Sequence, residues 1–435
     1  MTIFPVTVPA SLVSSLALDP AADDWGQAVR HAVGTTDGET YVLSGLWREA
    51  PRGSGDDGRG CIHQLITRHA PDGETLATAV IAHEVPGGGA TSAIRRGGNG
   101  NLSVLPDGTL VLSSKPGNTY LFTPGLDRLP ATWSMDERPG WSDEPQTDDP
   151  FAATVAVTPG GRLVCLASEH RVENWGYARG NLIAVSEPGA RLAPGHKPVL
   201  RAVATLKTDV KRQKEPDAVP HVRFGDAPVL QDNRPSPSLT ETMSARFGWG
   251  FRKDGAFLFR PVPLAEDLYA VPVFGGTYRS GSRGQAFSFA LLDDQGTLRG
   301  ELGGLDLHAD SPYNGANYRL TADPYRGRAF HLNRYGLYAW TADGTLQARL
   351  PTAEAPFKAL TNFELLTATP TGELLLSHRK QHLLLRVTVP DDLTTLGAAV
   401  ADTLAGLARA RNAAKKRHAP VNWLWTEGNG AVHHL

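Results

Sequence analysis

Between Asn317 and Leu350, four short apolar stretches alternate with three tight-turn signals. Tyr318–Thr321 runs into Asp323-Pro324, Ala329–Leu332 into Asn333-Arg334-Tyr335-Gly336, and Gly336–Thr341 into Ala342-Asp343-Gly344; Thr345–Leu350 follows. Short strands joined by such turns make an antiparallel meander. A sheet of this kind with apolar residues on both faces cannot hide them alone. It has to stack against copies of itself, which points to a repeat architecture.

The same unit can be laid along most of the chain. The first copy has Val29–Val33, Thr40–Leu46, Cys61–His69 and Thr75–Ala82. The second has Leu102–Leu105, Thr109–Ser113, Thr119–Thr123 and Ala131–Ser134, and the third Thr154–Thr158, Arg162–Ala167, Asn181–Ser186 and Val199–Leu206. The fourth has Ala256–Val262, Leu268–Phe274, Gln285–Leu292 and Thr297–Leu302. Residues 317–350 are the fifth. The sixth has Phe363–Thr367, Glu373–Ser377 and His382–Val389, and lacks a fourth strand. Six such units predict an all-β fold, a six-bladed β-propeller of four-stranded antiparallel blades. Continuous apolar runs such as Leu383-Leu384-Leu385 suit sheets covered on both faces. Two β-sandwiches are the alternative, but the turn signals do not change character midway.

Asn101-Leu-Ser-Val-Leu-Pro106-Asp107-Gly108-Thr-Leu-Val-Leu and Thr154-Val-Ala-Val-Thr-Pro159-Gly160-Gly161-Arg-Leu-Val-Cys share a form: inner strand, Pro-x-Gly turn, second strand. Leu366-Thr-Ala-Thr-Pro370-Thr371-Gly372-Glu-Leu repeats it. In this the chain resembles the NHL and SMP-30/gluconolactonase-like propellers over most of residues 29–390. The resemblance implies a fold and little more, because this architecture hosts hydrolases, binders and scaffolds.

The missing strand of the sixth unit leaves an edge that must be covered. Ile3–Val8 and Val421–Trp425 are the two candidates. The N-terminal segment is favoured, because it joins the two chain ends across the ring. Pro5 suits an outermost strand. Two segments stand outside the repeats. Residues 207–253 are proline-rich and irregular, and residues 391–418 read as a helix capped by Asp391 and Asp392. Leu393, Leu396, Val400, Leu404 and Leu407 form its apolar stripe, and basic residues load its C-terminal half. The expected organisation is a propeller over 1–390, interrupted by 207–253, with the helix and tail of 391–435 packed on it.

The 435 residues exceed what a single core usually supports, and the 46 Gly and 32 Pro serve a turn-rich chain. The formal charge of -2 gives no bulk attraction to polyanions. Cys61 and Cys165 are too few and too far apart for a zinc pattern or a disulfide framework. The N-terminus lacks a basic leader and no apolar run approaches a membrane span, so a cytoplasmic protein is expected.

No phosphate loop, HExxH or nucleophile elbow is present. His378 and His382 lie between two strands, which loses the helical spacing a metal would use. The resemblance to SMP-30-like hydrolases implies a divalent cation on the propeller axis. Asn101, Asn317 and Asn362 stand at or just before inner-strand starts and are its weak axial candidates. Three neutral amides make a poor site for a hard cation, and asparagines also bond turn backbone. No catalytic residue and no cofactor is assigned.

Charge sorts by loop type. The loops joining second to third strands share one face of a propeller, and they hold Arg48, Arg171, Trp175, Arg179, Arg279, Arg283, Arg334, Tyr335 and Arg379. The opposite turns hold Asp37, Asp72, Asp107, Asp294 and Asp343. Basic residues beside aromatic ones suit an acidic protein surface or an anionic ligand. Ordinary solvated loops are the alternative, and nucleic acid is not favoured because no stacking platform is identifiable. The expected function is therefore non-enzymatic binding through the basic loop face; the alternative is a metal-dependent lactonase-like hydrolase.

Overall fold

The computed structural model describes residues 3–5, 8–9, 25–48, 60–85, 100–114, 118–134, 154–167, 182–189, 200–205, 256–275, 286–304, 320–379, 383–416, 425–426 and 432–433. The chain is a six-bladed β-propeller of four-stranded antiparallel sheets. Strands β1 (Ile3–Pro5) and β2 (Val8–Pro9) precede the blades. Blade one is β3 (Trp25–Gly34), β4 (Thr40–Arg48), β5 (Gly60–His69) and β6 (Thr75–Val85). Blade two is β7 (Gly100–Val104), β8 (Leu110–Ser114), β9 (Asn118–Phe122) and β10 (Arg128–Ser134). Blade three is β11 (Thr154–Val157), β12 (Leu163–Ala167), β13 (Leu182–Ser186) and β14 (Leu200–Thr205).

Blade four departs from the expected pattern. Its inner strand is split into β15 (Ala256–Leu258) and β16 (Val262–Pro263), both paired with β17 (Leu268–Gly275). Leu258 faces Val273 and Val262 faces Ala270, so residues 259–261 oppose only 271–272. Pro261 has no N–H for the ladder, and the extra residue bulges out. The blade continues with β18 (Ala286–Asp293) and β19 (Leu298–Glu301). Blade five is β20 (Leu320–Asp323), β21 (Arg328–Leu332), β22 (Gly336–Thr341) and β23 (Leu346–Pro351).

Blade six has β24 (Phe363–Ala368), β25 (Glu373–His378) and β26 (Leu383–Thr388) from its own repeat. Its fourth strand is β1, antiparallel to β26, with Ile3 opposite Leu385 and Pro5 opposite Leu383. The N-terminal segment therefore supplies the strand that the sixth repeat lacks. The C-terminal segment takes another place. Strands β27 (Trp425–Thr426) and β28 (Val432–His433) pair with each other, and β27 runs parallel to β2.

Two compact units divide the chain: residues 1–98, 330–339 and 347–435, and residues 99–329 and 340–346. In the first unit one core joins Leu365, Leu374, Leu376, Leu385 and Val387 of blade six to helix α1 (Leu396–Lys416). The expected stripe, Leu393, Leu396, Val400, Leu404 and Leu407, is buried there. Asp392 starts the segment by accepting from the Thr394 N–H at 3.0 Å. A second core packs Val29, Ala32 and Val42 of blade one on Leu366, Leu375 and Leu384 of blade six.

In the second unit, tight turns let blades approach. A Cβ on Gly296 would lie 1.7 Å from the Val203 carbonyl oxygen, and one on Gly344 2.3 Å from that of Glu301. Both glycines also have positive φ, so this close approach is open only to glycine. Trp340 is fully buried, donates Nε1–H to the Gly303 carbonyl at 2.7 Å, and meets Phe289 edge-on. Several acidic turn residues are spent on this geometry. Asp107 and Asp343 accept from the N–H two residues on, at 2.9 and 3.1 Å. Asp293 accepts from both Gln295 and Thr297.

Candidate functional site

Of the loop-face residues, the structure describes the side chains of Arg334, Tyr335 and Arg379. Arg48 closes β4, opposite Trp25, and its side chain lies outside the described residues. Arg171, Trp175, Arg179, Arg279 and Arg283 also lie outside them, as does the 207–253 insertion.

The 333–335 loop is held by its own hydrogen bonds. Asn333 Oδ1 accepts from the N–H groups of Tyr335 at 2.8 Å and Gly336 at 3.0 Å. Thr352 donates its N–H to the Tyr335 carbonyl at 2.9 Å and its hydroxyl to the Arg334 carbonyl. On this frame the exposed Arg334 guanidinium lies over the Tyr335 ring, 4.5 Å from its centroid, and donates to the Tyr335 hydroxyl. The ring restrains the guanidinium while leaving it exposed.

Arg379 leaves the corresponding strand of blade six. Its backbone N–H bonds the Asn362 carbonyl at 2.8 Å, and its side chain is 45% exposed with Glu364 at 3.9 Å. An exposed pair at that distance holds the charge only weakly. His378, one residue earlier, is buried and packs edge-on against Phe363, a core position.

The axial candidates separate. Asn362 donates Nδ2–H to the Ala359 carbonyl at 3.3 Å, within its own turn. Asn317 lies outside the described residues. Asn101, on β7, accepts a hydrogen bond from Arg260 Nη1 at 3.4 Å. Arg260 was not singled out from the sequence, although Arg260-Pro261 inside an apolar strand is the signal for it. The bulge of blade four aims this side chain at β7, where Nη2 also donates to the Leu102 carbonyl at 3.2 Å and Ser103 Oγ at 3.3 Å. Ser103 in turn donates to the Val155 carbonyl at 2.7 Å. Blades two, three and four are thus tied through Arg260 and Ser103. Burial pushes the Arg260 guanidinium down to about 10, because a desolvated charge is disfavoured.

A metal does not fit at Asn101, since its amide oxygen already faces a guanidinium. Among the described residues, no three His, Cys, Asp or Glu side chains come together to hold a metal ion. Cys165 is fully buried, and burial pushes its thiol up, which suits a packing role. No helix among the described residues is long and apolar enough to cross a membrane.

The sequence matches no protein-family model and no curated protein. Among solved structures, the chain is similar to a gluconolactonase from Xanthomonas campestris at 10% identity and TM-score 0.35, covering 88% of this chain and 96% of that one. It is also similar to BamB from Moraxella catarrhalis at 11% identity and TM-score 0.30, covering 81% and 80%. A Swd1 β-propeller domain from Myceliophteria thermophila gives 9% identity and TM-score 0.33, covering 83% and 99%. Likeness at this level says nothing of activity, and the blade assignment rests on the strand pairing itself.

Proposed function

We propose that this protein is a non-enzymatic propeller whose second-to-third-strand loops receive an acidic protein surface. The observation that supports this best is the Arg334–Tyr335 pair, a guanidinium held over an aromatic ring on a hydrogen-bonded loop and left exposed. A cation restrained in this way gives up little side-chain freedom when it meets a carboxylate. Arg379 adds a second exposed cation at the matching loop of blade six. Arg48, Arg171, Trp175, Arg179, Arg279 and Arg283 extend the reading to the remaining loops by sequence position.

The metal-dependent hydrolase reading has less support, because Asn101 bonds a cation and Asn362 bonds its own turn. Binding of a fluorescent poly-aspartate peptide at low salt tests the proposal. The double variant Arg334→Glu, Arg379→Glu is expected to weaken binding at least about threefold and flatten its salt dependence. Its melting temperature should stay within about two degrees of the parent, since exposed substitutions change stability little. Equal affinity in parent and variant would remove the loop face as the binding surface.

A further inference from the structure

We infer that the joint between blades one and six is an acid-released seam, let go when the His69 ring takes up a second proton from solvent. This inference is independent of the loop face. It starts from strand register. Thr40 and His69 are direct partners on β4 and β5, and so are Val42 and Thr67, so all four side chains share one face of blade one. Blade six covers that face. Val42 shares a core with Leu375 and Leu384, and Thr40 Oγ1 accepts from Arg386 Nη2 at 2.7 Å. His69 is fully buried there.

The bonds of the ring suit its neutral form. The Gly73 carbonyl, 3.4 Å from Nδ1, can only accept, so Nδ1 carries the proton. Nε2 then accepts from the Thr67 hydroxyl at 2.8 Å. A proton added at Nε2 makes the ring a cation and turns that hydroxyl from donor to acceptor. The charge acting on the ring across the seam is also positive: Arg386, which bonds Glu373 on β25 and the Gly38 carbonyl. Glu39 pairs with Arg68, which alternates to the opposite face. Asp37, Asp72 and Glu74 are exposed in the turns. Two enclosed cations repel, and opening the seam returns both to water. The ring titrates at 6.5 when free and at about 4 when enclosed, chiefly through burial. The closed seam is therefore favoured in full above pH 6.5 and loosens as pH falls toward 4.

Amide hydrogen exchange of the full chain, corrected for intrinsic rates, tests this from about pH 7.5 to about pH 5. Protection of β26 and of residues 35–42 should fall about tenfold or more beyond any change in β12 of blade three. His69→Gln stays neutral and can still bond Thr67 and Gly73, so it should abolish the extra loss. Thr40→Asp provides a second route if His69→Gln does not fold. A carboxylate opposite His69 matches the incoming charge, so the extra loss should again vanish. The inference is overturned if blades one and three lose protection equally, or if either variant loses as much at the seam as the parent.

Discussion

Arg386 and Arg260 are two enclosed guanidinium groups with different surroundings. Arg386, on β26, is 4% exposed. It meets a carboxylate, Glu373 at 3.3 Å, and donates to Thr40 Oγ1 at 2.7 Å and to the Gly38 carbonyl at 3.3 Å. One side chain thereby pins the first turn of blade one to blade six, with its charge matched. Arg260, in the break between β15 and β16, donates to Asn101, the Leu102 carbonyl and Ser103 Oγ at 3.2–3.4 Å. The same residue type ties blade six to blade one in one place and blade four to blade two in the other.

The largest effect is expected from removing the strand beside the latch. Strand β26 carries Arg386 and is covered along Leu383–Leu385 by β1. Deleting residues 1–9 exposes that edge next to a buried core, and should cost about 3 kcal/mol or more. Among the described residues, deleting 419–435 removes the small β27–β28 ribbon, and it should cost under about 1 kcal/mol. Denaturant midpoints at constant slope check both; the reverse order would show that the C-terminal tail closes the ring.

Next is the latch itself. Arg386→Met takes the guanidinium from Glu373, which keeps the Thr371 hydroxyl at 3.3 Å, and from the buried Thr40 hydroxyl, and is expected to cost about 2–3 kcal/mol. The cost is held down because Glu373 is 22% exposed and can recruit water. A loss under about 0.5 kcal/mol would make Arg386 a bystander.

A pH experiment sharpens the same region. His69 is fully buried, bonded to Thr67 Oγ1 at 2.8 Å. Its pKa is lowered to about 4, chiefly by burial, opposed by the Gly73 carbonyl and aided by the Arg386 charge. The unfolded chain binds the proton near 6.5 and the folded chain only near 4. Stability is therefore full above pH 6.5 and falls as pH drops toward 4, by about 2 kcal/mol at pH 5. His69→Gln should flatten this limb, and Arg386→Met should shrink it. An acid limb that is the same in all three proteins would place its origin elsewhere.

Much of this was legible because it depends on local chemistry. Turns such as Asp107-Gly108 and Asp343-Gly344 declare themselves by an acceptor side chain followed by a residue that tolerates positive φ. The apolar stripe from Leu393 to Leu407 gave the helix, and the strandless end of the sixth repeat gave the closing role of Ile3–Pro5. What stayed hidden depends on residues far apart in the chain. Nothing near Arg260 announces Asn101 or Ser103, which lie more than 150 positions earlier. The acidic turns read as a charged face, whereas Asp107 and Asp343 are each engaged in holding their own turn, accepting from the N–H two residues on. Composition shows a charge; only the fold shows whether it is spent.

The smallest effect on stability is expected at Arg260, and this contrast with Arg386 is the sharpest test of the comparison. Replacing Arg260 with Met removes its hydrogen bonds to Asn101, Leu102 and Ser103, at 3.2–3.4 Å. It also removes the desolvation cost that draws the guanidinium down to about 10. Asn101 and Ser103 keep partners or solvent, since Asn101 is half-buried and Ser103 still bonds Val155. The losses and the gain are of similar size, so unfolding free energy in chloride should change by less than about 1 kcal/mol, with either sign. Chemical denaturation of Arg260→Met and Arg386→Met side by side measures the difference directly. If Arg260→Met loses as much as Arg386→Met, then Arg260 is a second latch.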